Sequence, residues 1–66
     1  MEAPFTIAAA ADYLSVTREH LAQLRFYGTG PTYLRPTPRR ILYLRSDLDS
    51  WLEESRVIPS VSRRAA

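Results

Sequence analysis

Only two or three residues separate the first two helical patterns of this chain, and that spacing constrains its fold more than any other feature. Thr6 can cap the first helix, because its hydroxyl can accept from the free N–H groups of the opening turn. Ile7, Ala10, Ala11 and Leu14 then recur at helical spacing, and the alanines favour helix. Ser15-Val16 interrupts the pattern. Thr17 is a second cap, and Glu19 places negative charge in the next first turn, where the helix dipole favours it. Leu21, Leu24 and Tyr27 or Phe26 form the apolar stripe of the second helix, and Gly28 ends it. Helices joined so briefly cannot lie flat as a long hairpin. They must cross steeply, and the small residues Ala8 to Ala11 permit the close approach. A helix pair inside some other bundle would share the pattern.

The chain changes character after Gly30-Pro31, a turn signal. Thr32-Tyr33-Leu34-Arg35 and Ile41-Leu42-Tyr43-Leu44 are β-branched, aromatic and aliphatic, hence strand-like. Between them, Pro36 and Pro38 block ladder hydrogen bonds and fix φ, so residues 36–40 read as a hairpin tip. Ser46 followed by Asp49 reads as a capping box opening a third helix, with Leu48, Trp51 and Leu52 as its buried stripe. Pro59 ends any continuation. The expected fold is therefore mainly α with a small β-hairpin, ordered helix, turn, helix, hairpin, helix: a winged helix-turn-helix in miniature. It spans residues 5–56, with residues 1–5 as a lead-in and 57–66 as a basic, partly apolar tail.

A chain of 66 residues is one small domain, and without cysteine it has neither a disulfide framework nor a thiolate metal site. One histidine makes zinc ligation improbable, and a core of this size rarely encloses a water-excluding catalytic pocket, so no enzyme and no cofactor is expected. At 45% hydrophobic and 24% charged residues it reads as globular rather than disordered. The longest apolar run, Ile7 to Ala11, is far below the roughly 20 residues that span a bilayer, and the acidic Met1-Glu2-Ala3-Pro4 start does not read as a secretory signal. A cytoplasmic protein with no membrane partner is expected.

All nine basic residues are arginine. The net charge of +2 says little, but its distribution says more. Residues 18–45 hold six arginines against the single acidic Glu19, and residues 46–54 hold Asp47, Asp49, Glu53 and Glu54 with no base. Such a positive stretch flanked by acidic segments is the footprint of a polyanion-binding face, against the plainer alternative of a solvated basic surface.

Four pieces of sequence carry a resemblance. They are residues 10–17 (Ala-Ala-Asp-Tyr-Leu-Ser-Val-Thr), Gly28-Thr29-Gly30-Pro31-Thr32-Tyr33, Arg39-Arg40-Ile41-Leu42-Tyr43 and Ser46-Asp47-Leu48-Asp49-Ser50-Trp51-Leu52. In this order and spacing the chain resembles the small excisionase-type, MerR-like winged-helix DNA-binding proteins from about Phe5 to Arg56. The resemblance implies double-stranded DNA as the ligand. It also implies work as a recombination directionality factor, which turns an integrase from integration toward excision of a mobile element, or as a small regulator of transcription. Three departures stand out. Ser15 occupies a turn position where the family often has glycine; if positive φ is needed there, the cost is about 1 kcal/mol. Pro36-Thr37-Pro38 replaces a glycine-containing tip, and Leu44 stands where arginine is frequent.

On that reading, Arg18, Glu19, His20, Ala22, Gln23 and Arg25 face away from the Leu21/Leu24 stripe, behind the cap Thr17. Arg18 and Gln23 are the best base readers, since arginine can bond guanine N7 and O6 together and glutamine adenine N6 and N7. Arg25, later in the helix, is a candidate for phosphate, and His20 could contact a base or a phosphate. Glu19 could accept from cytosine N4 or orient Arg18, although its place on the helix dipole is the stronger reading. Of Arg39 and Arg40 at the hairpin tip, one should point toward DNA and one away, because strand neighbours alternate, and Arg39 is favoured in or beside the minor groove. Arg35 and Arg45 are further phosphate partners. Tyr13, Tyr33, Tyr43 and Trp51 read as core rather than as stacking platforms. Leu44, Val57, Ile58 and Val61 are the candidate protein contacts. A domain this small binds weakly alone, and further copies docked side by side along DNA would multiply its contacts. The absence of an effector domain or long dimerisation helix favours a directionality factor over a ligand-responsive regulator. A protein-interaction module with an acidic partner is the alternative from another class.

Overall fold

The computed structural model describes residues 3–59. The fold has three helices, α1 (Ile7–Leu14), α2 (Arg18–Tyr27) and α3 (Arg45–Glu54), and a two-stranded antiparallel hairpin of β1 (Leu34–Thr37) and β2 (Arg40–Leu42) between α2 and α3 in the chain. No helix among the described residues is long and apolar enough to cross a membrane.

Both threonine caps form. The Thr6 hydroxyl accepts from the Ala9 N–H at 3.1 Å and Thr17 from the His20 N–H at 3.0 Å. α1 ends on Ser15 in the left-handed region, φ 61°, with its N–H bonded back to Ala11 and Asp12 carbonyls. α2 ends on Gly28 in the same conformation, φ 69°. Gly30 serves a different need. A Cβ there would lie 2.7 Å from Leu24 Cβ, so only glycine lets the returning chain pass so close to α2.

The core is Ala10, Ala11 and Leu14 of α1, Leu21 of α2, Leu48 of α3, and Tyr43 just past β2. Ile7, Val16, Leu24, Tyr33, Ile41 and Trp51 pack around it half-buried. Phe5, expected in a lead-in, is structural: it exchanges both backbone hydrogen bonds with Tyr43, at 2.6 and 2.9 Å.

Several expectations are corrected. The strands lie nearer the tip than the propensity pattern put them, and Pro36 sits inside β1. A two-stranded sheet leaves each strand a free edge, where the missing proline N–H costs no ladder bond. The pairing is also irregular between Leu34 and Thr37. The tip is the two residues Pro38-Arg39, closed by the Thr37–Arg40 pair; neither has positive φ, and Pro38 supplies the φ that a type I turn needs at its second position.

α3 starts at Arg45, not behind Ser46. Its N-cap is Leu44, which makes no side-chain cap bond. Tyr43, pinned to Phe5, commits the chain to helix early, and the Leu44 carbonyl accepts from Asp47 and Leu48 N–H. Leu52 is exposed rather than buried, whereas Trp51 is half-buried with its indole N–H on the Thr29 carbonyl at 3.0 Å. Tyr13 is also exposed: its ring edge meets Phe5 at 5.3 Å and its hydroxyl bonds to Asp49. Neither Phe26 nor Tyr27 extends the α2 stripe. They are 83% and 71% exposed and pack edge-to-face on one another. The eight-residue α1 is shorter than the ten-residue α2, so the last turn of α2 runs beyond the cover of its packing partner.

Candidate nucleic-acid interface

α2 is a short rod held by one anchor. Leu21 is fully buried and Leu24 half-buried, which leaves Arg18, Glu19, His20 and Gln23 exposed to solvent behind the Thr17 cap. The Thr17 hydroxyl is itself engaged in capping. Ala22 and Arg25 depart from the expected outward set, for both are half-buried. Arg25 turns in because Tyr43 offers it an acceptor: its NH1 donates to the Tyr43 hydroxyl at 2.9 Å.

At the hairpin tip, Arg39 and Arg40 were expected to point to opposite sides. Instead both are exposed and line one open groove of about 460 Å³ with Thr37, Ile41 and the start of α1, Thr6 to Ala8. Strand alternation does not govern Arg39, because it belongs to the turn. The first turn of α1 carries no acidic residue, so its positive dipole end faces this groove uncompensated by a carboxylate of its own. No residue of α2 lines the groove, so Arg18 and Gln23 take no part in it. The missing acid in the first turn of α1 was the one available sequence signal for this groove.

The remaining arginines differ in how free they are. Arg35 NH1 donates across the tip to the Pro38 carbonyl at 3.2 Å and so braces the hairpin. Arg45, expected on DNA, opens α3 and pairs with Asp49 at 3.9 Å, a contact between two exposed groups one helical turn apart. Arg56 grips Glu53 through two hydrogen bonds of 2.7 and 2.8 Å. That bond holds the Glu53 carboxyl below its ordinary range and raises the Arg56 value, in each case against a small opposing effect of desolvation.

Among the protein-contact candidates, Leu44 is half-buried at the head of α3, while Val57 and Ile58 are exposed. Val61 lies outside the described residues.

The chain matches no family model, no curated protein and no solved structure.

Proposed function

We propose that this chain is a winged helix-turn-helix protein that binds double-stranded DNA, acting as an excisionase or recombination directionality factor. α2 enters the major groove, which admits one helix, and presents Arg18 and Gln23 to base edges. The hairpin is the wing, and Arg39 and Arg40 grip the adjoining backbone. Copies on neighbouring sites bend the duplex, and their contacts offset the cost of deformation. The bent array directs an integrase toward excision of a mobile element. A small transcriptional regulator of the same fold is the nearest alternative in kind.

The observation that carries this reading is the groove where the two tip arginines meet the acid-free start of α1. It brings two exposed arginines and the start of a helix to one open cleft, a setting suited to a phosphodiester backbone. Charge segregation supports it, since the carboxylates of residues 46–54 all lie on α3, apart from α2 and the hairpin.

The test is duplex binding across a salt series. With five to seven phosphates engaged, log affinity falls with log salt at a slope of roughly −4.5 to −6. Arg18→Ala relaxes sequence preference, whereas Arg40→Ala weakens all sequences alike. No duplex affinity at low salt rejects the proposal. Footprinting beside an integrase attachment site then separates a directionality factor from a promoter-bound regulator. The exposed Val57 and Ile58 favour a second reading, a module that meets a protein partner through this apolar end. In that case binding survives high salt and is lost on Val57→Ser/Ile58→Ser.

A further inference from the structure

The most constrained cation on α2 is Arg25, and among the described residues it forms no ion pair. The ion pairs given above, Arg45–Asp49 and Arg56–Glu53, both lie at or beyond α3. Arg25 is half-buried on the last turn of α2 and hydrogen-bonds to a neutral phenol. The helix dipole favours a cation at that end, but it supplies no full negative charge. A half-buried guanidinium with one donor on a phenol keeps further donors available to an anion that arrives from outside.

The surroundings allow such an arrival. Arg25 lines an open groove of about 270 Å³ with Gly28, Gly30, Thr32 and Tyr33. Gly28 has open space where a side chain would stand, and Thr32 adds a hydroxyl. Tyr43 forms the floor behind Arg25. It is fully buried, its backbone is tied to Phe5, and its ring tilts against Tyr33 at 6.0 Å. A phenol fixed at both ends fixes the guanidinium that donates to it.

We infer that the Arg25 groove is a phosphate seat and that Tyr43, buried in the core, is the positioning residue that holds Arg25 in its wall. The inference rests on the DNA-binding reading for the source of the phosphate, a backbone phosphodiester, while the seat itself depends only on the Arg25–Tyr43 geometry.

Duplex binding by the full chain tests it in a double-mutant cycle. Tyr43→Phe keeps the ring and removes the acceptor. It should weaken binding to every sequence by roughly five- to tenfold. Arg25→Gln should weaken binding at least as much and reduce the salt slope by about 0.9. Adding Tyr43→Phe to Arg25→Gln should then cost nothing further, because Tyr43 acts only through Arg25. Arg25→Lys, which keeps charge but not the planar fork, should restore the slope without the affinity. Circular dichroism confirms folding, and if Tyr43→Phe does not fold, the Arg25→Gln and Arg25→Lys pair decides alone. Additive losses, or an unchanged slope in Arg25→Gln, overturn the inference. Inorganic phosphate provides the second arm, read at the Arg25 Nε–H by NMR. A shift in the parent chain that Tyr43→Phe abolishes, without any duplex affinity, keeps the seat and rejects DNA as its source. No response to either probe overturns both.

Discussion

At the residue scale, three positions near helix ends carry unequal burdens. Ser15 holds φ 61° without being glycine, which strains an L side chain. Ser15→Gly removes the strain, and the gain is partly offset by the greater freedom of glycine in the unfolded chain. The expected net is a stabilisation of up to about 1 kcal/mol, seen as a rise of roughly 4–8 °C in thermal midpoint for each kcal/mol. Gly28 and Gly30 separate conformation from space. A Cβ on Gly28 meets open solvent, so Gly28→Ala costs about 1 kcal/mol through φ alone. A Cβ on Gly30 meets Leu24 at 2.7 Å. Gly30→Ala should therefore cost more than Gly28→Ala, with Gly28→Asn the mildest of the three in the same melts. The turn at residue 15 was legible as a position in question from its place after Leu14. The steric need at Gly30 was not, because it arises from a residue six positions earlier that the fold brings back.

At the element scale, sequence signals were most readable where they are local. The Thr6 and Thr17 caps and the Gly28 stop each involve groups within four residues, and α1 and α2 stand where those signals put them. α3 was misread at its start because the deciding contact is remote: Phe5 pairs with Tyr43 and sets where the helix begins. Its far end makes a sharper prediction. The Arg56 bond lowers the Glu53 pKa, so its contribution is present above the ordinary carboxylate value of 4.5 and is lost as pH falls through the lowered one. An NMR titration of the Glu53 carboxyl should show a midpoint below 4.5 in the parent and a return upward in Arg56→Ala. Equal midpoints would mean that the Glu53–Arg56 bond does not persist in solution.

At the scale of the whole molecule, stability and binding draw on the same few residues. A domain of this length is stabilised by only about 3–10 kcal/mol in total. Leu21 anchors α2 to the core, and Leu21→Ala should cost about 2–5 kcal/mol. Denaturant titration should find a clearly lower unfolding midpoint for this variant than for the parent. On the proposed function, duplex binding should fall with the folded fraction, and a stabilising Ser15→Gly should recover part of it. The same economy explains the candidate site. Arg18, Glu19, His20 and Gln23 were legible as exposed from the spacing of Leu21 and Leu24 alone. Arg25 was not, because the group that draws it inward stands 18 residues away.

The amino-acid order by itself determined the number and sequence of the elements, the caps of α1 and α2 and the concentration of carboxylates in residues 46–54, since each follows from propensity, local hydrogen bonding or composition within a few residues. Tertiary structure alone decided that Phe5 belongs to the fold, that Phe26 and Tyr27 stay in solvent, that Arg39 and Arg40 share a groove with α1, and that Tyr43 holds Arg25. Each of these depends on which distant surfaces meet and how far a short partner helix reaches, and no local spacing encodes that.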